Sequence, residues 1–205
     1  MRSYYRKLRQ FKYLSIFVLS GCATSLPPYL EPDPAREPTA RLRTAVIPGV
    51  SANVFMHQNN NSNMCLIENE AAEIPVHTNT SGFAGESKKK IGMPFIDVYW
   101  EKIGSEMYIP AKDDLTFSAS FSGAGAVSRT SCRVAFRFRP LPDKNYQLFF
   151  QAGQQKNGHG ACIAELQEIV EDLTSKKMIQ IDVPRIPVVV KGSPAWNAFC
   201  KDSGS

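Results

Sequence analysis

Four cysteines, Cys65, Cys132, Cys162 and Cys200, are scattered through the body of the chain, and a fifth stands at Cys22. Zinc is gripped by thiolates at close spacings such as Cys-x-x-Cys, and no two of these cysteines are so placed, so no metal is expected. An even number of separated cysteines suits two disulfides if the chain meets an oxidising compartment. Three histidines, His57, His77 and His159, are the side chains able to trade protons near neutral pH. None is accompanied by a Gly-x-Ser-x-Gly elbow or another local signature of nucleophilic catalysis. His159 precedes Cys162 by three residues, but a cysteine held in a disulfide is no nucleophile. Gly123-Ala-Gly125 lacks the pattern of a phosphate cradle, and no cofactor is expected. Asp113-Asp114 and the polar run Asn59-Asn-Asn-Ser-Asn63 read as a solvated turn and an exposed loop.

The remaining chemistry lies in Cys132-Arg-Val-Ala-Phe-Arg-Phe-Arg139. Cys132, Val134, Phe136 and Phe138 alternate with Arg133, Arg137 and Arg139, so a strand here turns its apolar side inward and three guanidinium groups outward. Paired with a strand over 146–151, the arginines would meet Gln147, Phe149 and Gln151, and the group would suit a phosphate or carboxylate. The competing expectation is a solvated face of a one-sided sheet, its charges paired with nearby acids.

Such a strand needs neighbours of the same kind, and the chain supplies them. Leu115-Thr-Phe-Ser-Ala-Ser-Phe-Ser122 alternates with Leu115, Phe117, Ala119 and Phe121 on one face and hydroxyls on the other. Further strands are expected at 45–47, 54–57, 64–67, 96–100, 107–109, 146–151 and 178–183, with turn residues between them at 123–125, 140–145 and 155–158. The segment 161–174 is ambiguous. Ile163, Leu166, Ile169, Val170 and Leu173 fall at helical spacing, so a short helix over 163–174 competes with a strand over 161–169 followed by a polar connection to Lys177. The strand is preferred, because Cys162, Ala164 and Leu166 also alternate and no strong N-cap precedes them. Many short strands at this spacing predict one all-β domain, an antiparallel β-sandwich of immunoglobulin-like or transthyretin-like shape over residues 45–205, with two disulfides.

Ahead of that body stand a basic, acid-free head with Arg2, Arg6, Lys7, Arg9 and Lys12, then Leu14-Ser-Ile-Phe-Val-Leu-Ser-Gly21, then Cys22. The apolar run of eight residues is too short to cross a bilayer, which takes roughly 20. Leu19-Ser20-Gly21-Cys22 resembles the lipobox of bacterial lipoproteins. The resemblance implies a signal peptide over residues 1–21, removal of that segment, and acylation of Cys22 by chains of the palmitate type that hold the protein to a membrane. Ala23, in place of the aspartate that typically retains such proteins at the inner membrane, implies the cell outer membrane, facing the periplasm.

Loss of that head changes the charge argument. The whole chain has 24 Lys and Arg against 19 Asp and Glu, and the head carries five of the cations and no acid, so the remainder is neutral. The basic balance belongs to targeting and gives no support to nucleic-acid binding, which needs surplus cations. Residues 22–44 are expected as a proline-rich tether, with prolines at 27, 28, 32, 34 and 38, reaching up to roughly 70 Å if it extends as polyproline II. For its second half an extended edge packed along the domain is an equal alternative.

Cys132 and Cys162 open two expected strands with one strand between them, which places both at one end of the sandwich, side chains inward. Cys132–Cys162 is therefore expected, and Cys65–Cys200 by elimination. The latter would pin Trp196-Asn-Ala-Phe-Cys200 to the body. The function expected is a non-enzymatic binding or scaffold module for an envelope protein or an anionic envelope polymer. A periplasmic inhibitor or accessory factor of a secretion or pilus assembly, and an envelope hydrolase, are the alternatives.

Overall fold

A computed structural model describes residues 29–46, 52–57, 65–66, 73–79, 89–96, 104–124, 129–154 and 160–191, together with residues 193, 195, 198 and 200. The lipobox, the 59–63 run, the 155–158 turn, His159, Trp196 and most of the expected 96–100 strand lie outside them, as does the side chain of His77.

The described strands are β1 (Thr39–Val46), β2 (Ala52–His57), β3 (Cys65–Leu66), β4 (Glu73–Asn79), β5 (Ser105–Pro110), β6 (Leu115–Ala124), β7 (Arg129–Phe138), β8 (Asn145–Gln154), β9 (Gly160–Glu171), β10 (Met178–Asp182), β11 (Ile186–Pro187) and β12 (Val189–Val190). One sheet has the order β10-β9-β8-β1-β5, the second β11-β7-β6-β2-β4, and a two-stranded ribbon pairs β12 with β3. The two large sheets pack as an all-β sandwich. Most pairs are antiparallel, but β1 runs parallel to β8 and β12 parallel to β3.

Period-two alternation builds the core. Leu42 and Val46 of β1, Val54 and Met56 of β2, Phe117 of β6, Phe136 and Phe138 of β7, and Tyr146, Leu148 and Phe150 of β8 form one buried cluster between the sheets. Each large apolar side chain so buried contributes about 1.5–3 kcal/mol. Phe117 stacks on Phe136 at 5.8 Å, and Tyr146 meets Phe138 edge-on at 5.3 Å. The Tyr146 hydroxyl accepts from the Leu141 N–H at 3.0 Å, which ties the 141–144 turn to the core. Asp143 in that turn has φ 61°, a left-handed conformation that aspartate tolerates better than most residues.

Both disulfides form as expected, Cys132–Cys162 and Cys65–Cys200. Cys132 on β7 and Cys162 on β9 sit on different sheets, so the first bridge staples the two layers through the core.

Two expectations are corrected and one open choice is decided. The sheet begins at Thr39, inside the stretch expected as tether: prolines stop at Pro38, so from Thr39 every backbone N–H can join a ladder. Leu42 and Arg43 are fully buried there, and β1 lies between β8 and β5 as an interior strand. Between the alternatives for 161–174 the preferred strand forms and the helix does not: β9 runs to Glu171, paired with β8 over residues 160–169 and with β10 over 167–171, and a turn follows. Finally, β7 does not pair with β8. Its neighbours are β6 and β11, and β8 belongs to the facing sheet, so Gln147, Phe149 and Gln151 never meet the arginines in register.

Candidate functional site

The outward face of the β11-β7-β6-β2-β4 sheet carries the polar residues, in rows set by register. His57, Thr116 and Arg137 share one row, Phe55, Ser118 and Ala135 the next, and Asn53, Ser120 and Arg133 the third, with Ser122 beside Ser131 beyond it. A solvated face would leave these residues open to water. Here a third layer covers part of it. Leu66 of β3 with Val188 and Val190 beside β11 and of β12 bury Ala135 in a small second core, and the Val188 N–H donates to the Ala135 carbonyl at 3.1 Å. Cys65–Cys200 holds this layer down from the far end of the chain.

The same face holds a buried pair. His57 Nε2 is 2.9 Å from Ser118 Oγ, and each residue is only 2 % exposed. Burial, reinforced by the cation of Arg133, pulls the His57 pKa down to about 4. The imidazole is thus neutral at physiological pH, and the pair is shut away from any substrate.

Beside the cover the same face opens into a cleft of about 820 Å³. Its floor is Asn53, Ser120, Ser122, Ser131 and Arg133, and its far wall is the segment from Pro187 to Val190, continuing to Lys191, Ser193 and Ala195. Backbone bonds fix that wall: the Lys191 N–H donates to the Leu66 carbonyl at 2.9 Å and the Ser193 N–H to the Val190 carbonyl at 3.0 Å. Two cationic side chains, several hydroxyls and an amide therefore face a common space, with aliphatic residues along one side.

The structure divides the three expected arginines. Arg133 is exposed and lines the cleft. Arg137 lies on the same face but is 7 % exposed, with its Nε 3.8 Å from the Asp114 carboxylate. Arg139 is exposed and donates to the other oxygen of Asp114 at 2.7 Å. Asp114, expected in a solvated turn, is thus the acid that gathers Arg137 and Arg139 away from the cleft.

Sequence reasoning missed Lys191 and Ser193, which follow β12 and carry no motif. It also missed a second polar stratum on the outer face of the other sheet. There Arg43 Nε and Nη2 both donate to Glu106 Oε1, at 3.1 and 2.8 Å, while Glu106 Oε2 accepts from the Ile91 and Met93 N–H groups at 2.8 and 3.2 Å. The alternation of Arg41 and Arg43 with Ala40 and Leu42 was the available signal.

Among the described residues no cluster of three or more His, Cys, Asp or Glu side chains is placed to hold a metal ion, and no helix is long and apolar enough to cross a membrane. No protein-family model, curated protein or solved structure matches the chain.

Proposed function

We propose that this protein is a lipid-anchored lipoprotein of the outer membrane whose sandwich faces the periplasm and acts as a non-enzymatic binding module for an envelope polymer or protein. The observation that carries this reading is the juxtaposition on one sheet face of an open cleft lined by cations and hydroxyls and a His57–Ser118 pair sealed beside it. The accessible groups bind; the one described imidazole–hydroxyl pair is out of reach. A nucleophile and base must reach a substrate atom to act, so this geometry favours recognition over hydrolysis. The lipobox-like Leu19-Ser-Gly-Cys22 supports the anchor, and the segment from Tyr29 supports a body that starts soon after it. Tyr29 donates to the Tyr108 carbonyl at 3.0 Å and Glu31 accepts from the Tyr108 N–H at 3.0 Å, so this stretch packs along the edge strand β5.

Metabolic labelling with an alkynyl fatty acid, followed by separation of inner and outer membranes, tests the reading. The expected result is label on the wild-type protein in the outer-membrane fraction and none on Cys22→Ser. Label retained by Cys22→Ser, or an unlabelled wild-type protein, overturns the anchor. Failure of the full-length protein in detergent to co-sediment with any envelope fraction overturns the binding role.

A further inference from the structure

The geometry points to a specific ligand chemistry for the cleft beside β12: we propose that it binds an oxyanion, carboxylate or phosphate, carried on a sugar. The inference rests on the binding-module reading and names what that module holds.

Three features of the lining lead to this chemistry. The first is charge. Arg133 on the floor and Lys191 on the wall line the same space, so an anion entering between them meets two cationic side chains. Arg133 supplies a planar fork of donors and Lys191 a mobile point charge, a combination that suits the oxygens of either group.

The second feature is the hydroxyl content. Ser120, Ser122 and Ser131 come from the polar faces of β6 and β7, Asn53 from β2 and Ser193 from the wall. Hydroxyl and amide side chains donate and accept, which matches the hydroxyls of a sugar better than it matches an apolar ligand. Ser193 Oγ itself is buried and has no hydrogen-bond partner among the described residues. Along one side Val189 and Ala195, both partly exposed, offer aliphatic surface for the C–H face of a ring.

The third feature is construction. The cleft volume of about 820 Å³ falls within the range of about 300–1,000 Å³ typical of ligand sites. Its floor belongs to the centre of a sheet and its wall is tied by β12–β3 pairing and by Cys65–Cys200. Both walls are thus preorganised, which lowers the entropy lost when a ligand is gripped.

The test uses the full-length protein purified in detergent and isothermal titration with four soluble probes: a disaccharide carrying a muramic-type carboxylate, the same disaccharide as its carboxamide, a glucosamine disaccharide phosphate freed of acyl chains, and neutral diacetylchitobiose. Binding of the carboxylate sugar or of the phosphate sugar is expected, and which of them binds more tightly identifies peptidoglycan-type or lipopolysaccharide-type material as the source. The carboxamide and chitobiose should bind at least tenfold more weakly. Arg133→Gln with Lys191→Gln should lose tenfold or more of the anionic-sugar affinity, and Arg139→Gln, outside the cleft and paired with Asp114, should bind as wild type. Equal binding of charged and neutral sugars overturns the proposal, as does binding unchanged in the double variant while its circular dichroism and melting match wild type. Co-sedimentation with envelope material that survives the double variant leaves the module reading standing and removes this cleft as its site. Absence of all binding, to probes and to envelope fractions alike, removes both.

Discussion

Arg43 on β1 and Glu106 on β5 stand directly opposite in register, and their side chains meet at 2.8 Å with exposures of 0 % and 1 %. They form a buried ion pair on the outer face of their sheet, and Glu106 uses its second oxygen to hold the 89–96 segment through the N–H groups of Ile91 and Met93.

That pair should be costly to break on one side. Glu106→Gln keeps the shape but leaves the Arg43 charge without its counterion, and a loss of about 3–5 kcal/mol is expected in urea unfolding. Replacing both partners by well-packed apolar residues, Arg43→Met with Glu106→Leu, should cost less than either single change. Burial alone would raise the Glu106 pKa, but the Arg43 bond and the two backbone donors outweigh it and hold the carboxyl below its ordinary value of 4.5. A depressed acid contributes stability that is present above its unfolded pKa and lost as pH falls through the folded one. The wild type should therefore lose stability below about pH 4.5 more steeply than the apolar double variant.

His57 should titrate near pH 4 by NMR, well under the usual 6.5, because burial first and Arg133 second disfavour its cation. The unfolded chain takes up a proton on this histidine below about pH 6.5 while the folded chain does so only near 4. Stability thus falls as pH drops from about 6.5 to about 4, and His57→Gln should remove that part of the slope. A His57 resonance titrating above pH 6 would contradict its burial.

Peptide mapping without reduction should return Cys65–Cys200 and Cys132–Cys162 and no other linkage. The sequence separations of 135 and 30 residues correspond to about 5 and about 3.7 kcal/mol in the chain-entropy account. Cys65→Ser with Cys200→Ser should lower Tm more than Cys132→Ser with Cys162→Ser if loop length governs. The reverse order would show that the staple through the core matters more than the size of the loop it closes.

Arg137 and Arg139 share Asp114 but not its exposure. Arg139→Gln removes a surface pair and should change stability by less than about 0.5 kcal/mol. Arg137→Gln, at a position 7 % exposed, should cost clearly more, about 1–3 kcal/mol. Equal melting temperatures for the two variants would sink the distinction.

Leu66→Ala tests the third layer on its own. Leu66 is buried against Ala135, Val188 and Val190, and its truncation should cost about 2–5 kcal/mol and open the cover next to Ser118. Faster hydrogen exchange at Val188 N–H, which bonds the Ala135 carbonyl, would report that loosening.

Alternation along single strands was legible in the amino-acid sequence, because side-chain period is a local property. Leu115 to Phe121 and Cys132 to Phe138 show which face of β6 and β7 is apolar, and the observed core uses those residues. Cysteine number and spacing led to two bridges, and the inward phase of Cys132 and Cys162 led to their pairing. What period cannot carry is lateral order. A strand of period two pairs equally well with any strand of the same phase, so the separation of β7 from β8 into facing sheets, and the parallel seating of β1 between β8 and β5, arise from the packing of the whole sandwich. Exposure of a polar face is undetermined in the same way. Arg133, Arg137 and Arg139 read alike along the chain, yet the layer built from β3 and β12 over Ala135, and the carboxylate of Asp114, send one to the cleft, bury another and pair the third. Those contacts join residues tens of positions apart, and only the tertiary structure decides them.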